Sequence, residues 1–185
     1  MQKKSSMREG AILLLQDENG ILGGREHSNG HAPGLLRLPS EKLKLGEKPL
    51  DTLLRGCREE IGKDFVPINP KLSGVVEWIT PNYKNSGDRL SVLAHVYTAR
   101  AHKGQLGTER VGSLENPQFL EPSQIEYHFH KLLLSLIKPG QFFHGSFVEN
   151  EKLKISSLEL KYNYPLKQDV QSFDSQPRQE SIRPL

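Results

Sequence analysis

Residues 39–63 read PSEKLKLGEKPLDTLLRGCREEIGK, and this stretch decides the fold of the chain. It begins as a loop and continues as a predicted helix over residues 49–61, with Pro49 in the first turn, where proline is well tolerated. Gly62 follows as a typical helix stop. On a helical wheel five side chains fall within an arc of about 100°, which predicts a stripe facing the core. These side chains are Leu50, Leu53, Leu54, Cys57 and Ile61.

The other side of this predicted helix is charged. Arg55 and Glu59 form an i, i+4 pair in which the guanidinium can orient the carboxylate. Glu59 and Glu60, with Glu47 just before the helix, can offer oxygen ligands to Mg²⁺, which takes one or two carboxylates and bridges to substrate phosphates. A solvated helix face would contain the same residue types, so the charges alone leave both interpretations open.

The flanking sequence predicts further strands and one more helix. Strands are predicted at residues 10–16, 21–26, 72–80 and 89–100. The first two flank Asn19-Gly20, which is a strong hairpin signal. Residues 101–118 read as a loop, and a second helical pattern begins after Pro122 and ends at Pro139. This order predicts an α/β or α+β fold with a sheet between helices.

The composition limits the functional classes. The only cysteine, Cys57, excludes an intramolecular disulfide, indicates a reducing compartment and falls on the predicted buried stripe. The N-terminal apolar run AILLL is too short for a secretory signal, which needs about 7–15 apolar residues, or for a membrane span of about 20. We therefore expect a cytoplasmic protein without a membrane segment. The formal net charge of +3 suits an anionic small molecule as well as RNA.

The charged segment resembles the signature of the Nudix hydrolase family, Gly-x5-Glu-x7-Arg-Glu-U-x-Glu-Glu-x-Gly-U, where U is a bulky apolar residue. Five positions match at the right spacing: Glu47, Arg55, Glu59, Glu60 and Gly62. The resemblance covers roughly residues 8–138 and implies an α/β/α sandwich with a mixed β-sheet between helices. Residues 139–163 would be a C-terminal extension, in which residues 152–163 alternate enough for an edge strand or hairpin arm. The polar residues 164–185 are predicted to be disordered.

The resemblance also implies a function and a set of site residues. The family hydrolyses nucleoside-diphosphate-linked compounds with Mg²⁺, or Mn²⁺ in its place. Here Glu59 and Glu60 would hold the metal and Arg55 would orient Glu59. Arg25 ends the second predicted strand, where the family often places a basic residue near the phosphates. A charge at the end of a surface strand is an equally good interpretation of Arg25.

Three positions depart from the signature. Glu41 replaces its first glycine, Gly56 replaces the glutamate after the arginine, and Lys63 replaces its last apolar residue. In the family the glutamate at position 56 often binds metal or serves as the base. The base would then have to come from another loop, and the candidates are Glu41 and Glu115.

Two other readings remain open at this stage. Gly56 could reflect drift in a catalytically inactive domain that binds a nucleotide, RNA or a protein partner. The chain could also be an interaction module whose C-terminal extension mediates a homodimer.

Overall fold

The computed structural model describes residues 7–81, 89–107, 112–138 and 140–163. The strands are β1 (Arg8–Asp17), β2 (Gly20–Glu26), β3 (Leu36–Arg37), β4 (Ser40–Lys42), β5 (Val66–Pro67), β6 (Lys71–Pro81), β7 (Arg89–Ala99), β8 (His102–Lys103), β9 (Leu114–Leu120), β10 (Phe142–Glu149) and β11 (Ile155–Asn163). The helices are α1 (Pro49–Glu60) and α2 (His128–Leu136), with a 3-10 turn at Pro122–Gln124. The predicted disordered tail, residues 164–185, lies outside the described residues.

One large mixed sheet organises the molecule. Its strand order is β11-β10-β6-β7-β1-β2-β3, with β4 paired to β1 and β9 paired to β2. The β1–β7 and β6–β10 pairs are parallel, and the other pairs in the sheet are antiparallel. In the described part of the chain, no helix is long and apolar enough to cross a membrane.

The two helices cover opposite faces of this sheet. Side chains of a strand alternate between the faces, and those of β1 divide accordingly. Ala11, Leu13 and Leu15 pack with side chains of α1. Ile12 and Leu14 belong to the core that contains α2. The expected mixed sheet between helices is therefore confirmed.

Helix α1 forms where the sequence predicts it, but it is rotated relative to the predicted stripe. Leu53, Cys57 and Ile61 are buried as expected. Leu50 is 39% exposed, so its predicted burial is wrong. Instead the helix buries Thr52, Gly56 and Glu60. The two polar side chains tolerate burial because each has a hydrogen-bond partner: Thr52 bonds to Glu47, and Glu60 bonds to Arg37.

Strand β9 and the start of helix α2 also differ from the sequence prediction. Residues 114–120 form β9 rather than loop, although the strand contains Pro117. Proline is tolerated there because, among the described strands, β9 pairs with β2 alone, and the ladder between them is irregular at this point. Helix α2 begins at His128, later than Pro122, because Tyr127 before it has an extended backbone.

The C-terminal segment adds two strands to the same sheet. The structure confirms the alternating segment as β11, which pairs with β10 in an antiparallel hairpin. Strand β10 was not predicted, because His144, Gly145 and Ser146 interrupt its apolar residues. Phe143 and Phe147 of β10 are nonetheless almost completely buried in the core beside α2.

Candidate functional site

Arg55 lies at the centre of the charged cluster on α1. Its Nε and Nη2 donate to the two oxygens of Glu47 at 2.7 and 2.9 Å, which is a bidentate contact. Its Nη1 donates to Glu59 Oε2 at 2.9 Å, and its Nη2 also donates to the carbonyl oxygen of Lys42 at 2.7 Å. Arg55 thus joins the loop before the helix, strand β4 and Glu59 in one arrangement.

Glu47 is an anchor of this arrangement. Besides Arg55, it accepts hydrogen bonds from Thr52 Oγ1 at 2.8 Å and from the Lys44 amide at 2.9 Å. Hydrogen bonds from Arg55, and then from the Lys44 amide, hold the pKa of Glu47 well below its usual range. Both of its oxygens are occupied by protein donors, so Glu47 is better suited to fixing the loop than to binding a cation.

Glu41 on β4 lies directly opposite Gly56 on α1. A Cβ atom built on Gly56 would lie 2.6 Å from the Cβ of Glu41 and 3.2 Å from its Cγ. The Oε1 of Glu41 accepts from the Lys42 amide at 2.8 Å and lies 3.6 Å from Arg55 Nη1. Among the described residues nothing donates a hydrogen bond to its Oε2. Glu41 and Glu59 therefore border the same guanidinium nitrogen.

Glu60, the other predicted metal residue, is buried and fully engaged. Its Oε1 accepts from Arg37 Nη2 at 3.0 Å and from Ser113 Oγ at 2.6 Å. Its Oε2 accepts from the Ser40 amide at 3.1 Å. Glu60 does not share a hydrogen-bond partner with Glu59, so the structure separates the two glutamates that the sequence places side by side.

Arg37 was not identified from the sequence, yet it organises a buried ionic network. It forms ion pairs with both Glu60 and Glu26. Burial lowers the pKa of Arg37, but Glu60 and Glu26 outweigh it and leave that pKa above its ordinary value. Burial raises the pKa of Glu26, and Arg37 opposes that rise. Arg37 stands between two leucines in a short strand, and that pattern does not distinguish a buried arginine from an exposed one.

The remaining predicted residues lie apart from the Arg55 cluster, on the paired strands β2 and β9. Arg25 and Glu115 are opposite each other in this ladder. Arg25 donates to the carbonyl oxygen of Gly34 and lies 3.6 Å from Glu126 Oε2. Glu115 Oε1 lies 3.6 Å from His27 Nε2. Of the two candidate bases, only Glu41 contacts Arg55.

The charges around Arg55 fit a partial Mg²⁺ site. Three carboxylates, those of Glu41, Glu47 and Glu59, surround one guanidinium. The only further cation paired with them in the described chain is Lys44, whose exposed Nζ lies 3.8 Å from Glu59 Oε1. The described residues contain no group of three potential ligands that would form a complete metal site. Mg²⁺ commonly uses one or two carboxylates together with water and phosphate oxygens, and the partly exposed carboxylates in contact with Arg55 Nη1 are those of Glu59 and Glu41.

A second polar cluster lies on the α2 face of the sheet. Glu149 is 0% exposed, and its Oε2 accepts hydrogen bonds from Thr80 Oγ1 at 2.6 Å and from Tyr127 Oη at 3.3 Å. His31 Nε2 lies 3.3 Å from the same oxygen. Within the described chain, Glu149 Oε1 has no hydrogen-bond partner. This cluster links β10 to the loop after β2, and the weak sequence signal around β10 gave no indication of it.

Comparison with known proteins gives a consistent result. The model of the NUDIX domain family matches residues 7–144. The mutator MutT protein from Bacillus halodurans has a similar structure, with a TM-score of 0.67, 16% identity and coverage of 83% of this chain and 97% of that one. For the MutT NUDIX hydrolase from Burkholderia pseudomallei the TM-score is 0.58, with 20% identity over 72% of this chain and 99% of that one. The NUDIX domain of Shewanella oneidensis NrtR, complexed with ADP ribose, has a TM-score of 0.52, 19% identity and coverage of 71% and 84%. None of the curated proteins compared with the chain matches it.

Proposed function

The chain belongs to the NUDIX domain family and has the Nudix hydrolase fold, and from this premise we propose that it is a Mg²⁺-dependent hydrolase of a nucleoside-diphosphate-linked compound. The observation that carries the proposal is the Arg55 cluster, in which two partly exposed carboxylates, Glu41 and Glu59, border one guanidinium nitrogen. One structure with this fold is a complex with ADP ribose, a compound of the proposed class.

Glu59 and Glu60 are the proposed metal ligands, but their carboxylates differ in how accessible they are to an ion. The side chain of Glu59 is 44% exposed, and its Oε1 has only the distant Lys44 ammonium as a partner among the described residues. Glu60 would have to exchange a contact with Arg37 or Ser113 before it could bind an ion. Mg²⁺, or Mn²⁺ in its place, would neutralise the diphosphate and lower the pKa of an attacking water. Arg55 holds Glu59 in position through their 2.9 Å hydrogen bond.

Hydrolysis also requires a group that accepts a proton from the attacking water. The water oxygen forms a bond to phosphorus, the bridging P–O bond breaks, and the water proton passes to a carboxylate. Glu41 and Glu115 are the two candidates, and the position of Glu41 beside Arg55 favours it. Arg25 is the proposed phosphate-binding residue. Its present ion pair with Glu126 is 3.6 Å long and half exposed, so exchanging it for a phosphate costs little.

A second candidate function is that of a non-catalytic domain that binds a nucleotide. The buried Arg37–Glu60 pair supports it, because a carboxylate that is already neutralised by a buried arginine serves the fold without a cation. This candidate predicts binding of nucleotides without turnover.

One comparison separates the two candidates. Release of phosphate or nucleotide is measured from ADP-ribose, nucleotide sugars and dinucleotides, with Mg²⁺, with Mn²⁺ and with chelator. Turnover that requires metal and is abolished by Glu59→Gln, but not by the exposed control Glu18→Gln, supports the hydrolase. Binding of panel compounds by calorimetry without turnover supports the second candidate. A natural chain that neither binds nor hydrolyses any panel compound contradicts both.

A further inference from the structure

Positions 41 and 56 carry each other's expected residues. The signature that the sequence resembles has glycine at position 41 and glutamate at position 56, whereas this chain has Glu41 and Gly56. The structure brings these two positions into contact across the β4–α1 interface. With 2.6 Å between the Glu41 Cβ and a Cβ built at position 56, the interface as it stands accommodates a side chain at only one of them.

The side chain of Glu41 fills the space beside Gly56. Both residues line the small cleft between β4 and α1, together with Pro39, Ser40 and Cys57. The Glu41 carboxylate also lies near the adjacent residue of α1, with its Oε1 3.6 Å from Arg55 Nη1.

The same Arg55 nitrogen bonds to Glu59. Its hydrogen bond to Glu59 Oε2 is 2.9 Å long, so the carboxylates of Glu41 and Glu59 both lie within 4 Å of one guanidinium nitrogen. Three carboxylates and one guanidinium leave an excess of negative charge at this position, since Lys44 is exposed and 3.8 Å from the nearest oxygen. A divalent cation would offset that excess.

We propose that the acidic function of position 56 has moved across the interface to Glu41, which faces the divalent cation together with Glu59. The inference rests on the proposed function for the existence of a cation site. Gly56 is then the residue that makes room for the displaced carboxylate, and the two positions act as one unit.

Four proteins test the exchange: the natural chain, Glu41→Gln, Gly56→Glu, and the double variant Glu41→Gly/Gly56→Glu. Mn²⁺ affinity is measured by titration calorimetry, and folding by thermal unfolding, with Glu18→Gln as the control. Glu41→Gln should weaken Mn²⁺ binding by about 10-fold or more, since it removes one charge facing the ion and keeps the side-chain shape. Gly56→Glu alone should lower the melting temperature, and the double variant should recover both the melting temperature and the Mn²⁺ affinity.

Two results overturn the inference. One is a Glu41→Gln protein that binds Mn²⁺ as tightly as the natural chain. The other is a double variant no more stable, and no better at binding Mn²⁺, than Gly56→Glu. Both are independent of turnover. A natural chain that binds Mn²⁺ through Glu41 but hydrolyses nothing contradicts the proposed function and supports the inference. If the chain is active and Glu41→Gln changes neither turnover nor Mn²⁺ binding, the proposed function is supported and the inference is contradicted.

Discussion

Replacing Gly56 with alanine should destabilise the protein, although the same change stabilises most helices. Gly56 lies inside α1, where glycine costs about 1 kcal/mol relative to alanine. The new methyl group would lie 2.6 Å from the Cβ of Glu41, well inside van der Waals contact. Because both atoms are attached directly to the backbone, neither can rotate away, and β4 and α1 must move apart.

The expected magnitude follows from these two opposing terms. Overpacking a tight interface costs about 1–3 kcal/mol, and the helix gains about 1 kcal/mol from alanine, so the net loss is about 0–2 kcal/mol. In a Glu41→Gly background the obstructing Cβ is absent, and Gly56→Ala should instead stabilise by about 1 kcal/mol. The coupling between the two substitutions should therefore be about 1–3 kcal/mol, within the range found for residues in contact.

A double-mutant cycle measured by urea denaturation determines this coupling. The cycle compares the natural chain, both single variants and the double variant, and requires equal m-values. Arg58→Ala provides a matched control, since Arg58 is an exposed residue of the same helix and its change should add independently to Glu41→Gly. A Gly56→Ala coupling below about 0.5 kcal/mol, the usual limit for independent sites, would refute the close packing of Glu41 on Gly56.

Three further predictions concern titratable groups. Since hydrogen bonds from Arg55 keep the pKa of Glu47 below its ordinary 4.5, the ionised carboxylate stabilises the fold above that pH and loses this effect as the pH falls below it. Melting temperatures should therefore decline less between pH 5 and about 3 for Glu47→Gln than for the natural chain, and parallel declines would contradict this. Burial raises the pKa of Cys57 to about 12, so a thiol reagent at about pH 8 should label the protein only in denaturant, and rapid labelling of the native protein would be inconsistent with it. Burial, followed by Arg37, lowers the pKa of His130 well below 6.5. Neutral His130 therefore makes its full contribution to the free energy of unfolding above pH 6.5, and this contribution is lost as the pH falls. The variant His130→Asn keeps an acceptor for the Leu38 amide and should show a smaller loss of stability between pH 6.5 and about 5; an unchanged loss would exclude His130 as its source.

The parts of the fold that sequence predicts are those with strong local signals. Pro49 and Gly62 predict the two ends of α1 to within two residues of the observed ends. Likewise, the Asn19-Gly20 turn predicts the β1–β2 hairpin. The charged spacing around Arg55 also predicts its contact with Glu59, because an i, i+4 relation is fixed by helix geometry alone.

The parts that sequence does not predict depend on contacts between distant residues. The helical wheel places Leu50 on the buried stripe. In the folded protein, Arg37 and Glu47 supply hydrogen-bond partners that draw the polar side of α1 inward instead. Arg37 contacts Glu60 and Ser113 across separations of 23 and 76 residues, which no local pattern encodes. The proximity of Glu41 and Gly56 is of the same kind, since only the packing of β4 against α1 brings these two departures from the signature together.

The parallel pairing of the sheet also fixes an order of events during synthesis. Strand β1 pairs with β7 over Arg8–Leu15 and Val92–Ala99, and β6 pairs with β10, which ends at Glu149. As the chain leaves the ribosome, the leucine-rich β1 must wait for β7, and β6 must wait for β10. Such long-range pairing slows folding and leaves apolar strands exposed in the meantime. A chain released near Gly140 would lack Phe143 and Phe147 from its core, and we expect the apolar surface left uncovered there to make such a fragment prone to aggregation.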